Sequence, residues 1–208
     1  KSFQFNTTIR NTLLINLYSL VVVFPLPIFL ALMINQMRAK RFKKIFQTIT
    51  YMPHFISTVV MVGIILLFLS PSSGVIGNIY SLFNVNAPNL MANAAAFPSI
   101  YVWSDVWQHI GWDSIIYIAA LSSVDPTLYE AATVDGANRW QKLLHIDLPM
   151  LIPTAAILLI LRIGNLMSIG FEKVYLMQND MNLSTSEVIA TYVYKIGIIS
   201  AQYSYSAA

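Results

Sequence analysis

Four stretches of this chain are apolar over roughly the length needed to cross a bilayer, which takes about 20 mostly apolar residues in a helix. They run from about Thr12 to Ile34, Ile45 to Leu69, Ser99 to Leu121 and Met150 to Phe171. Hydrocarbon offers no hydrogen-bond partners, so a spanning backbone must satisfy its own amides, and stretches of this length do so as helices. The expected fold class is all-α, a polytopic transmembrane helix bundle. Composition agrees: 57% of the 208 residues are hydrophobic and only 10% charged, against roughly 25% charged in a soluble domain. Pro25 and Pro27 fall inside the first stretch and Pro53 near the start of the second, so kinked helices are expected.

The loop between the first two stretches contains Arg38, Lys40, Arg41, Lys43 and Lys44 with no acid, which the positive-inside rule places in the cytoplasm. Alternation then puts residues 70–98 outside, 122–149 inside and 172–208 outside. The loop at 70–98 is uncharged, and of the twelve Lys and Arg residues seven fall inside, four outside and one, Arg162, within a span. The net charge of +3 thus follows from topology and is no sign of a nucleic-acid partner. Lys43 and Lys44 read as topology signals more readily than as a specific lipid site. Cysteine is absent, which excludes disulfides and thiol chemistry. The outer loop 70–98 is expected to form an ordered cap with a short amphipathic piece at Val75 to Phe83. The first residue is Lys1 and no signal peptide is visible, so the chain is expected to be a piece of a longer protein.

The inside loop 122–149 has its own local code. Asp125-Pro126 starts a helix, because Asp accepts from free amides and Pro at the first position loses no hydrogen bond. Thr127 to Val134 continues it, and Asp135-Gly136 ends it. A second helix, about Asn138 to Asp147, is expected to stop before Pro149. Ala131 and Ala132 are small enough for close approach of another helix. Leu128, Trp140, Leu143 and Leu144 are expected to pack back onto the bundle, leaving Glu130 and Arg139 for a partner. On these features alone, an ordinary connection and a docking element both remain open.

The spacing Glu130-Ala131-Ala132, three residues, Gly136, nine residues, Ile146-x-Leu148-Pro149 resembles the EAA signature of membrane subunits of binding-protein-dependent ABC importers. The likeness extends over Phe24 to Ser57 and Trp107 to Ala137, which look like the carbohydrate branch, in particular oligosaccharide and polysaccharide permeases. The resemblance implies a type I ABC importer permease fold, in which the first loop helix is a coupling helix seated in a separate ATPase subunit. It implies that Glu130, Ala131, Ala132, Asp135, Gly136 and Ala137 contact that subunit. It also implies a second permease subunit, an ATPase dimer carrying ATP and Mg, an external solute-binding protein, a multi-pass place in the plasma or inner membrane, and no cofactor on this chain. The family core has five spans, usually six in this branch, so one span at each end is expected to be missing here. None of the eight glycines belongs to a G-x-x-x-x-G-K-[ST] phosphate loop, so energy is expected to arrive through a contact.

The third stretch places Asp105, His109 and Asp113 on one helix face, interleaved with Trp103, Trp107, Gln108 and Trp112, and the fourth adds Arg162 and Asn165. Ionisable groups at membrane depth face a bundle interior or a wet cavity. Trp107, His109, Trp112, Asp113, Arg162 and Asn165 are therefore candidate pathway residues, indole faces stacking on pyranose rings while polar groups take hydroxyls. Competing readings stay open: an interfacial tryptophan belt, simple solvation of Asp105, an Asp113–Arg162 ion pair, and a bundle-packing role for His109. No metal-ligand spacing accompanies His54 or His145. An ion-coupled secondary transporter with an Asp105/His109/Asp113 relay is the alternative function, although no internal repeat supports it. A membrane-embedded enzyme lacks any H-E-x-x-H or G-x-S-x-G motif, so the chain is read as non-catalytic.

Overall fold

The computed structural model describes residues 3–37 and 39–206; Lys1 and Arg38, both used in the charge count, lie outside the described residues. Helices follow in the order α1 (Phe3–Val23), α2 (Pro25–Asn35), α3 (Lys40–Tyr51), α4 (Thr58–Leu69), α5 (Val75–Leu82), α6 (Phe97–Ser122), α7 (Pro126–Val134), α8 (Arg139–Lys142), α9 (Leu148–Gly164), α10 (Phe171–Met177), α11 (Leu183–Ser186), α12 (Ile189–Tyr194) and α13 (Tyr203–Ser206). A π-helical turn, Leu143–Asp147, joins α8 to α9, and a second, Lys195–Ile199, follows α12. No strand occurs among the described residues.

Among the described residues two helical runs are long and apolar enough to cross a membrane, Phe5–Asn35 and Arg139–Gly164; Lys40–Phe55 and Thr58–Leu69 qualify only when taken together as a broken pair. The first run contains the first expected stretch. Pro25 and Pro27 interrupt it little because they fall in the first turn of α2, where a missing N–H costs least. The second stretch is divided where a kink was expected. A 3₁₀ turn, Met52–Phe55, carries Pro53, and Ser57 restarts the helix as N-cap of α4, its hydroxyl accepting from the Val60 N–H at 3.4 Å. The third stretch lies within α6, a helix of 26 residues. The fourth ends early: α9 stops at Gly164, and residues 165–170 are irregular until α10 begins, so Asn165 lies beyond the helix. The expected stop before Pro149 is also corrected, since the helix runs through it. The π turn just ahead holds one residue more per turn, displacing the carbonyl that an α-helix would aim at the proline ring. The amphipathic piece in the loop at 70–98 is helix α5, and a shorter apolar helical run spans Ile189–Ile199.

The chain divides into two compact units. One gathers residues up to Ser19, Ile56–Ser104 and those from Asn165 onward. Its irregular segments are fastened by side-chain amides and hydroxyls. Fully buried Asn182 donates to the carbonyls of Met91 (3.0 Å) and Met177 (3.1 Å), while its Oδ1 accepts from the Ser186 hydroxyl (2.8 Å) and the Asn179 N–H (3.0 Å). Asn11 donates to the carbonyls of Ser184 and Glu187, Asn16 to that of Leu166, and the Thr12 hydroxyl accepts from the Ile189 N–H. Buried Lys173 lies 4.8 Å from the centroid of the Tyr101 ring and donates to the Tyr101 carbonyl.

The other unit, Leu20–Phe55 with Asp105–Gly164, is built round an apolar core. Ala31 and Leu32 of α2, Tyr117 and Leu121 of α6, and Leu151 of α9 are its buried centre, with Ile28, Leu143, Ala155 and Leu158 packed against them. Helices α3 and α6 approach so closely that a Cβ on Gly111 would fall 2.0 Å from the Thr50 carbonyl oxygen, a contact only glycine permits.

Candidate coupling and pathway sites

The loop at residues 122–149 contains a short helix, α7, braced at both ends. Asp125 accepts from the Thr127 N–H at 2.9 Å, a hydrogen bond that favours the carboxylate and holds its pKa below the usual value. At the other end Gly136 takes φ +75°, a left-handed conformation that other residues adopt only at a cost. That turn lets the Ala137 N–H reach back to the Ala132 carbonyl at 2.9 Å. A capping box follows, in which the Asn138 N–H donates to Gln141 Oε1 and the Gln141 N–H to Asn138 Oδ1. Lys142 ties the two short helices together by donating to the Thr133 hydroxyl at 2.6 Å.

Glu130, Ala131, Asp135 and Gly136 are exposed on this braced element, and Ala132 and Ala137 are half-buried. Of the apolar residues expected to pack back, Leu143 alone does so. Leu128, Trp140 and Leu144 are exposed, Trp140 at 72%, and Val134 at 87% joins them. The helix keeps only a narrow inward face, so most of its apolar side chains remain on the surface beside the Glu130–Gly136 segment. An apolar surface rimmed by charge is the usual mark of a protein contact.

Tyr129 makes that inward face. Its hydroxyl donates to Asp147 at 2.5 Å, and burial together with the carboxylate pushes the phenol up to about 12. Asp147 is fully buried and also accepts from Gln36 Nε2 at 2.9 Å and Asn35 Nδ2 at 3.4 Å. Sequence reasoning missed this group. The available signal was an acid inside the apolar Ile146-x-Leu148 run.

Within α6, His109 Nδ1 lies 3.2 Å from a carboxylate oxygen of Asp105. The structure also brings in His54, which the sequence left on a separate segment. Its ring stacks on Trp112 with centroids 4.3 Å apart and planes 2° from parallel, and it meets His109 edge-on at 5.4 Å. Phe55 abuts the same indole at 83°. His54 Nδ1 is buried without a hydrogen-bond partner. Asp113 and Arg162 are half-buried, and no direct ion pair joins them. Trp107 is 49% exposed, outside this cluster of rings, and Trp103 donates to the Tyr18 hydroxyl. Of the six candidate pathway residues, His109 and Trp112 are gathered round His54. No group of three or more possible metal ligands occurs among the described residues.

These elements define a helical membrane protein with a capped polar loop between apolar helices. The profile of the family described as binding-protein-dependent transport system inner membrane component matches residues 23–204, and the chain belongs to that family. It is 41% identical over 200 residues to the polygalacturonan/rhamnogalacturonan transport system permease protein YteP of Bacillus subtilis (strain 168), covering 96% of this chain and 62% of the relative. Protein LplB of the same organism is 40% identical over 205 residues, covering 99% of this chain and 64% of LplB. The chain thus spans a little under two thirds of the length of these curated relatives. Among solved structures, a crystal structure of a bacterial ABC transporter involved in import of the acidic polysaccharide alginate matches with TM-score 0.96 and 43% identity, over 99% of this chain and 72% of that one. The fold is accordingly that of a type I ABC permease bundle. The family leaves the ion-coupled reading without support.

Proposed function

We propose that this chain is the membrane-spanning, non-catalytic subunit of an ATP-driven importer in the plasma or inner membrane. With a second permease subunit it forms the path for an oligosaccharide or polysaccharide delivered by an external binding protein. The observation that carries this reading is the exposed, doubly braced Glu130–Gly136 segment in a member of this family. A partner ATPase dimer holding ATP and Mg seats on Glu130, Ala131, Ala132, Asp135, Gly136 and Ala137, the apolar side chains beside them adding buried area. The carbohydrate assignment draws support from the saccharide transport named for YteP and for the alginate transporter.

In the same reading, Trp112 and Trp107 supply stacking faces for sugar rings, and His109, Asp113, Arg162 and Asn165 supply hydrogen bonds to hydroxyls. The test is reconstitution of the full-length protein with its second permease, ATPase and binding protein in vesicles. Gly136→Pro cannot adopt a positive φ and is expected to uncouple ATP hydrolysis from uptake or to prevent ATPase recruitment. Unaltered pull-down together with unaltered uptake would count against the contact. Asp113→Ala or Arg162→Ala is expected to impair uptake; normal transport by both at normal abundance would remove the pathway assignment. Uptake by the purified chain alone, driven by a proton gradient, would overturn the whole reading.

A further inference from the structure

We infer that Asp147 is a positioning residue that makes the α7 element and the end of α2 move as one body. The inference rests on the reading of Glu130–Gly136 as the ATPase contact. The observation is a carboxylate with no exposed surface in a loop that is otherwise largely exposed. Its two oxygens accept from three side chains on two separate elements: Tyr129 of α7, and Asn35 and Gln36 at the carboxyl end of α2. The carboxylate itself sits on the π turn that leads into α9. Three segments far apart in sequence therefore converge on one acceptor.

The chemistry of the donors bears on the role. None is a cation, and Asp147 has no basic side chain within ion-pair distance among the described residues. A Lys would bind a carboxylate as a rotatable point charge. A phenol and carboxamides donate along fixed directions, and a buried carboxylate left without them would be costly, so the cluster resists sliding apart. Apolar packing at the same place would hold the elements together but would tolerate rotation and slippage. The arrangement suits transmission of a displacement: a push on the exposed face of α7 reaches α2 and α9 through one rigid junction and is not absorbed by flexing of the loop.

The experiment uses the full-length permease in the reconstituted importer and reads three quantities: ATPase co-purification, ATP hydrolysis, and saccharide imported per ATP. Asp147→Ala is expected to retain the ATPase and its hydrolysis while import per ATP falls by about tenfold, within the usual span of coupling between sites. Tyr129→Phe removes one donor and is expected to lower the same ratio by about threefold, with thermal stability close to wild type. Asp147→Asn keeps an acceptor for Tyr129 and, with the Gln36 amide turned over, a partner there; it is expected to recover most of the ratio. Faster amide exchange over residues 126–134 in Asp147→Ala should accompany the loss.

An ATPase that fails to co-purify with the wild-type protein defeats the underlying reading. Wild-type import per ATP in Asp147→Ala, with the ATPase bound, defeats the positioning role and leaves that reading standing. If Asp147→Ala does not assemble, full coupling in Tyr129→Phe overturns the role, and lowered coupling there supports it.

Discussion

The two units solve one problem in contrasting ways. Both must satisfy a backbone in a chain that is mostly apolar. The unit containing α4, α5 and α10 to α12 does it with side chains, because much of its backbone lies in short helices, turns and bends that cannot bond to themselves. Asn11, Asn16, Asn182 and Thr12 each reach a backbone group on another segment. The unit containing α2, α3 and α7 to α9 relies on longer helical runs, whose amides are already paired, and needs only apolar surface and close approach. In this unit three side-chain donors from two distant elements meet at Asp147. Irregular backbone demands many dispersed polar ties, whereas helices satisfy their own amides and need fewer of them.

That contrast makes the first unit the more fragile to loss of a single amide. Asn182→Ala strands the Met177 carbonyl and takes the acceptor from the Asn179 N–H and the Ser186 hydroxyl, while the Met91 carbonyl keeps the Asn179 amide; it is expected to cost about 4 kcal/mol, read as a fall in the thermal midpoint of the protein in detergent. Leu151→Ala, at 1% exposure in the centre of the other core, is expected to cost about 3 kcal/mol in the same measurement. The reverse order would break the comparison. Gly136→Ala forces a side chain into the left-handed region and should cost about 1 kcal/mol, with its larger consequence in import per ATP. Trp103→Phe gives up only the bond from its half-exposed indole to Tyr18 and is expected to cost about 0.5 kcal/mol. A larger loss would extend the dependence on polar ties to the unit's exposed surface.

Much of the helical architecture and the whole of α7 were legible in the sequence, because both depend on local rules. Apolar length sets a run of helix, and Asp125-Pro126 and Asp135-Gly136 fix its two ends by capping and a positive φ. What was not legible depends on partners distant in the chain. Whether Pro53 bends a helix or ends it turns on the Ser57 cap and on the close approach of Thr50 to Gly111. The passage through Pro149 needs a π turn, for which no single residue type is a signal. Asn35 is 112 positions from Asp147 and sits in an ordinary-looking helix end, so nothing local marks the pair. His54 was set aside as solitary, and only the fold lays it on Trp112.

The π turn at Leu143–Asp147 has a consequence of another kind. Such a turn amounts to one residue inserted into an α-helix. Deleting exposed Leu144 would return the winding to the ordinary one and rotate everything before it by about 100° relative to α9. The composition of the loop would hardly change, yet Tyr129 would swing away from Asp147 and the Glu130 face would point elsewhere. The direction in which the Glu130 face points is set by a count of residues, so a deletion of one at this place is a more drastic change than most substitutions.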